Sequence, residues 1–346
     1  MTKEILMKQD KKLIRIHDIA KTARVSISTV SRVMNNLPTV REENRHRVLK
    51  VIKECNYRPN VNARRLAGAR NNTIGLIMPY FQGMFSSYYV MQLIKGVEEE
   101  AHNQGLDVLI NVNRRNESEE SFYNRILNKT YVEGAIYAGT KNIVPMFEAE
   151  DVPYIVVNMS IKKKDVNCIY IENKEGAFEM VEYLIKLGHK KIAVIAGTAG
   201  VKAADDRLKG YRLALQKNEL DKINPGYFVV RANFNKRTAY EETLKLLSRE
   251  DRPTAVFASS DDMAVAVIKA VKEKGLNVPK DVAVVGFDNR PFSEDVEPKL
   301  TTVNQPIAEM GRLAVQALNE IILGQKIEKV KIALKANLII RKSCGA

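Results

Sequence analysis

A chain of 346 residues, 45% hydrophobic and 28% charged, is too long for one ordinary core and has the composition of a folded protein rather than a disordered one. No apolar run reaches the ~18–20 residues of a membrane span, residues 1–12 lack the apolar stretch of a secretory signal, and three scattered cysteines (Cys55, Cys168, Cys344) argue against a disulfide framework or a zinc site and fit a reducing cytoplasm. The net charge of +14 sits mostly at the front: residues 1–72 hold 17 basic against 6 acidic side chains, residues 73–346 the other 38 against 35. A small basic head on a nearly neutral body is the footprint of a nucleic-acid-binding module.

Residues 1–13 read as a basic extension. From 14 to 58 the pattern is helical and strand-free. His17–Ala23 forms a first short helix, Arg24-Val25-Ser26 a tight break, and Ser26 an N-cap for a second helix reaching Met34, with Val30 and Val33 on its buried side. Asn35-Asn36-Leu37-Pro38 ends it. Thr39 with Glu42 has capping-box spacing and opens a third helix whose apolar face is Val48, Leu49 and Ile52. Helix, tight turn, helix is a helix-turn-helix. The second helix presents its front residues to the major groove, so Ile27, Ser28 and Arg32 are the candidate base readers, and Ser26, Thr29 and Ser31 the candidate phosphate donors.

Residues 59–72 form a basic linker. Pro59-Asn60 opens it, Ala63–Ala67 has room for two helical turns, and Leu66 is its one large apolar residue. A helix so short is not stable alone in water and is expected to order only on a partner. From Thr73 onward short β-branched strands (Ile74–Met78, Val108–Val112, Ala135–Ala138, Tyr154–Val157, Ile192–Ala196, Ala255–Ala258, Val282–Phe287) alternate with amphipathic helices (Tyr89–Asn103, Lys174–Leu187, Asp206–Gln216, Thr238–Leu247, Asp262–Lys274). That alternation predicts parallel sheets with right-handed crossovers, arranged as two doubly wound halves whose ligands bind at the carboxyl ends of the strands. The fold class expected is therefore an all-α helix-turn-helix head on an α/β body.

Catalytic motifs are missing from the chain. It has no GxGxxG, Walker or GxSxG pattern, GTAG at 197–200 reads as a turn, and the four histidines are scattered. Asp261-Asp262 are adjacent at a helix start and point different ways. No enzyme, metal or cofactor is expected.

The runs IHDIAKTARVSISTVSRVMNN and VREENRHRVLKVIKECNYRPNVNARRLAG closely resemble the head of the lactose-repressor (LacI/GalR) family, and the resemblance continues through IGLIMP, LGHKKIAVIAG, DDRLKGYRLAL, DVAVVGFDN and LTTVNQP over essentially the whole chain. It implies a homodimer reading palindromic double-stranded DNA, with Asn35 in the recognition segment and Asn60, Ala63 and Leu66 on a hinge helix whose Leu66 wedges into the minor groove. It also implies a body of the type I periplasmic-binding-protein kind, with an N-subdomain at about 73–171 and 304–327 and a C-subdomain at about 172–303 and 328–346. A small-molecule effector, a sugar or alternatively a nucleobase, nucleoside or protein signal, would meet Asn158, Arg207, Phe234, Ser260 and Asp288. Between Pro79 and Gly96 the chain is about four residues longer than relatives, which adds Phe85 and Tyr89 to the candidate contacts. A chain stopping after LIIRKSCGA without leucine heptads is expected to stay a dimer.

Overall fold

The computed structural model describes residues 14–34, 38–55, 57, 70–81, 83–112, 121, 131–139, 144–159, 166–224, 226–325 and 328–345. Its contacts divide the chain between Asn71 and Asn72 into a head and a body, each described by itself below.

In the head, α1 (Ile16–Ala23) opens with Arg15 N–H donating to Asp18 and closes at Arg24, held at φ 53°. The left-handed residue reverses the chain, and Ser26 Oγ then accepts from Thr29 N–H at 3.1 Å to start α2 (Ile27–Met34). Ile19, Ala20, Ala23, Val30, Val33, Val40, Val48, Val51 and Tyr57 close one small core.

Two expectations for α3 (Glu42–Glu54) are corrected. Its N-cap is Arg41, with no side-chain cap bond, so Thr39 lies two residues too early to close a box with Glu42. Val40, between Thr39 and the cap, is drawn into the core. Leu49 is 48% exposed; the buried stripe runs through Val48 and Val51 with Ile52 packed beside them, and at ~100° per residue Leu49 falls off that stripe.

The body holds two parallel sheets. The first has the order β11-β5-β4-β3-β1-β2, built from β1 (Thr73–Met78), β2 (Asp107–Val112), β3 (Gly134–Tyr137), β4 (Tyr154–Val157), β5 (Cys168–Ile171) and β11 (Lys331–Leu334). The second has the order β7-β6-β8-β9, from β6 (Ile192–Ala196), β7 (Val229–Arg231), β8 (Ala255–Ala258) and β9 (Ala283–Val285). Strands β3, β4, β6 and β8 are buried along their length, as expected of parallel strands covered on both faces. Edge strand β2 instead leaves Leu109 and Ile110 each 41% exposed. An antiparallel ribbon, β10 (Thr302–Asn304) with β12 (Asn337–Ile339), completes the strands among the described residues.

Among the described residues, the helices of the first half include α4 (Tyr88–Asn103), α5 (Val144–Ala149) and α10 (Ile307–Ile322); those of the second are α6 (Asn173–Lys186), α7 (Lys202–Lys217), α8 (Lys236–Leu247) and α9 (Asp261–Glu273). Helices α4 and α10 touch backbone to backbone: a Cβ on Gly96 would lie 1.9 Å from Ala308 O. None of the described helices is long and apolar enough to cross a membrane.

The chain passes between the halves three times: at Glu172 between β5 and α6, at Gln305-Pro306 between β10 and α10, and at Lys335-Ala336 between β11 and β12. The third passage corrects the expected return at 328. Lys331–Leu334 first adds a parallel edge strand to β5, and only afterwards does the chain return, where Ser343 Oγ bonds Val284 O. The strand expected over Val282–Phe287 is cut to Ala283–Val285. Beyond it single bridges continue the pairing, Val285 with Thr301 and Asp288 with Asn304.

Candidate functional site

Two surfaces collect the candidate residues. On the head, Ile27, Ser28 and Arg32 are exposed on one side of α2 while Val30 and Val33 are buried on the other. The Ser26 hydroxyl meets Ser28 Oγ at 2.7 Å and Thr29 Oγ1 at 2.9 Å besides capping the helix, so these hydroxyls form one cluster at the helix front; Ser31 is half-buried. Backbone amides and hydroxyls at a helix N-terminus are suited to phosphate oxygens. Asn35, Asn60, Ala63 and Leu66 lie outside the described residues.

In the body, Arg207 and Asp288 come together where the two halves meet. Arg207 sits on α7, 4% exposed, with its guanidinium 3.9 Å from the centre of the Phe287 ring. It donates to Asn173 Oδ1 at 2.9 Å and to Ser259 O at 2.6 Å, and approaches Asp288 Oδ1 at 3.5 Å. Asp288 follows β9 at φ 125°, a backbone conformation that L residues rarely adopt. Its amide donates to Val303 O, and its carboxylate accepts from Gln305 Nε2. Burial pushes the Asp288 carboxyl up to about 6 against the pull of Arg207, and burial lowers the Arg207 guanidinium from its ordinary value.

Asp261 lies behind this pair, fully buried at the start of α9. Thr302 Oγ1 and Arg290 N–H donate to it, and Gly286 leaves it room, since a Cβ there would fall 2.2 Å from Asp261 Oδ1. Burial, reinforced by the Asp288 charge, pushes its carboxyl up to about 7. The adjacent Asp262 faces the other way, pairing with Arg290 and, at 2.5 Å, with Lys236. The guanidinium of Arg290 also lies 4.8 Å from the Phe292 ring centre and 5.4 Å from that of Tyr88, which comes from the other half.

The first half contributes Asn158, at φ 59° after β4, and beside it Tyr89, whose hydroxyl burial raises above its ordinary range. Phe234, at φ 57° and 37% exposed, lays its ring over Gly197 at the end of β6; a Cβ on Gly197 would meet Phe234 Cζ at 2.2 Å. Ser260 is buried, and its hydroxyl already accepts from Met263 N–H as the N-cap of α9. Phe85 stands 63% exposed on the turn Met84–Ser86 that precedes α4.

Around the Arg207–Asp288 pair several buried polar atoms have no hydrogen-bond partner: Ser259 Oγ, Gln305 Oε1, Asn158 Oδ1 and Arg290 Nε. Such atoms cost ~1–3 kcal/mol each when nothing satisfies them. Sequence reasoning passed over Asn173, Ser259, Arg290 and Gln305. All four flank strand ends or crossings, and Gln305 lies within the LTTVNQP run, so proximity to a carboxyl strand end was the available signal.

A helix-turn-helix head followed by a two-sheet body with polar groups converging between its halves is the architecture of a DNA-binding regulator. Residues 15–60 match the model of bacterial regulatory proteins of the lacI family, and residues 181–344 that of the periplasmic binding protein-like domain. The probable HTH-type transcriptional repressor ExuR of Bacillus subtilis (strain 168) is 33% identical over 335 residues, 96% of this chain and 98% of that protein. Among solved structures, the lac repressor dimer bound to operator and the anti-inducer ONPF superimposes with a TM-score of 0.85 at 27% identity over 97% of this chain and 100% of that one. The complex of the transcriptional regulator CelR with cellobiose does so with 0.71 at 29% identity over 95% and 99%. The chain belongs to the lacI family of bacterial regulatory proteins. It is a DNA-binding transcriptional repressor and not an enzyme.

Proposed function

We propose that this protein is a cytoplasmic homodimeric repressor of sugar-utilisation genes. In this reading Ile27, Ser28 and Arg32 read the bases of a palindromic operator, and Ser26, Thr29 and Ser31 hold its phosphates. Support comes from the exposure of Ile27, Ser28 and Arg32 on one side of α2 and from the hydroxyl cluster at its front. Asn35, Asn60, Ala63 and Leu66 join them on the strength of the family resemblance. The exposed apolar Leu109 and Ile110 on edge strand β2 favour a dimer, the form in which the lac repressor relative was solved on its operator.

The effector in this reading is a polyhydroxylated molecule of the sugar class. It is held by Arg207, Asp288, Asn158 and Tyr89, with Phe234 stacked on an apolar ring face and Phe85 at the rim; Ser260, the N-cap of α9, adds a further polar contact. One observation carries it: Gln305 Oε1 and Asn158 Oδ1 are buried acceptors without donors, and Ser259 adds an unsatisfied hydroxyl beside an Arg–Asp pair. Hydroxyl groups supply both the donors and the acceptors such a lining needs. A nucleobase would offer its N–H donors only in one plane and at fixed positions. The CelR relative, solved with a disaccharide, agrees with this reading. The ligand acts through its different affinity for the DNA-competent and DNA-incompetent states.

A thermal-shift screen of the full chain against sugars, sugar phosphates, nucleobases and nucleosides tests it. A sugar at about 100 times its Kd adds ~2.7 kcal/mol, or roughly 5 °C for a body of this size, and Arg207→Ala removes the shift. A response to nucleobases alone, or a sugar response that survives Arg207→Ala, would overturn the assignment.

A further inference from the structure

We infer that Arg290 reads an anionic group, a carboxylate or a phosphate, carried by the effector. The inference deepens the sugar-class reading and rests on it. Arg290 follows two consecutive positive-φ residues, Asp288 at 125° and Asn289 at 51°. The turn they make hands the Arg290 amide to Asp261 and brings the side chain back to the junction of the halves. There the guanidinium lies between the Tyr88 ring of one half and the Phe292 ring of the other, a setting that holds a planar cation and limits its hydration.

Charge and hydrogen bonding both remain open at this point. The carboxylate of Asp262 is shared by two cations, Arg290 and Lys236, so Arg290 has no carboxylate to itself. The other nearby carboxylates are engaged elsewhere, Asp288 with Arg207 and Gln305, Asp261 with Thr302 and the Arg290 amide. Arg290 spends Nη1 on Asp262, while its Nε is buried and has no hydrogen-bond partner. The Nε side of a guanidinium takes a carboxylate or phosphate as a two-point fork. An anionic group placed there would give Arg290 an anion of its own and satisfy Nε at once, while the sugar hydroxyls meet Asp288 and Gln305. A neutral sugar leaves both deficits.

Titration calorimetry on the full chain decides it, using glucose and galactose, their uronic acids and their 6-phosphates as probes at equal ionic strength. At least one anionic member should bind tenfold or more tightly than its neutral parent. That preference should weaken with added NaCl while neutral binding does not, and Arg290→Gln should bring the two within about threefold. Arg290→Lys, which keeps the charge but not the fork, should fall between. The arm that keeps the preference, uronate or phosphate, names the group. Equal affinity for neutral and anionic members, or a preference intact in Arg290→Gln, overturns the role of Arg290 while leaving the sugar reading standing. Failure of every probe to bind the wild-type chain, with nucleobases binding instead, overturns both.

Discussion

Replacing Arg207 by methionine tests the centre of the proposed effector site. The change keeps an unbranched side chain over Phe287 but removes a guanidinium 4% exposed, stranding Asn173 Oδ1, Ser259 O and the Asp288 carboxylate. Removing one partner of a buried ion pair costs about 3–5 kcal/mol. Part of that cost depends on pH. With Arg207 in place the Asp288 carboxyl is already pushed up to about 6, and Arg207 is the main influence lowering it, so the variant titrates higher still. The native state then holds a proton that the unfolded chain, with a carboxyl near 3.9, has released. Stability therefore falls as pH rises between about 4 and the folded value, and levels off above it. We expect a deficit of about 4 kcal/mol at pH 8 and about 2 kcal/mol at pH 5, where only neutral acceptors remain unpaired. At about 2 °C per kcal/mol this is a Tm drop of roughly 8 °C and 4 °C. Scanning calorimetry of both chains at the two pH values reads it. Equal drops at pH 5 and pH 8, or drops under about 2 °C at both, would refute the claim that Arg207 neutralises Asp288.

Gly96→Ala places a methyl group 1.9 Å from Ala308 O, so α4 and α10 must separate; urea unfolding should show a loss of about 3 kcal/mol or more, and an unchanged midpoint would contradict the close packing. Asp261→Asn removes a buried carboxyl pushed up to about 7. The wild-type chain should lose stability as pH rises from about 4 to 7 and the variant should lose less, a difference checked by melting at pH 5 and pH 8. Arg32→Ala should cost roughly 1–3 kcal/mol on operator DNA and relax preference at one base pair. Equal loss on random DNA in an anisotropy titration would make Arg32 a phosphate contact instead.

Residues whose local chemistry acts alone were legible before the fold was known. Ser26 caps α2 as its position before a periodic run predicts, and the apolar runs of β6 and β8 lie where periodicity puts them. The elements that escaped notice depend on distant partners. Lys331–Leu334 is half exposed and reads as a strand only because β5 is there to receive it; Ile307–Ile322 is the exception, an amphipathic helix that local periodicity could have shown. The site divides in the same way. Arg207 and Asp288 were reached through the family resemblance, and the geometry sets them side by side. Asn173, Ser259 and Gln305 show no motif of their own and acquire meaning from the guanidinium and carboxylate they face. Ser260 shows how one hydroxyl can carry more than its position reveals, since an isolated serine after a strand gives no local sign that it caps α9.

The three passages between the halves bear on how the chain is made. The segment from Thr73 to Ile171 supplies five of the six strands of the first sheet, but α10 and β11 lie between Ile307 and Leu334. At ribosomal rates of about 5–20 residues per second, roughly 10–30 s separate the emergence of Ile171 from that of Leu334. Throughout that interval the groove at Gly96, into which the Ala308 backbone settles, stays open, and β5 keeps an unpaired edge. The head and the four-stranded sheet of the second half can close on contiguous chain as they appear, whereas the first half waits for α10 and β11, and the second half gains β12 and the Ser343 contacts afterwards. A nascent chain halted near residue 300 should therefore hold the four-stranded sheet of the second half beside a sticky, incomplete first one, a state in which chaperones or a neighbouring chain have the most surface to grip.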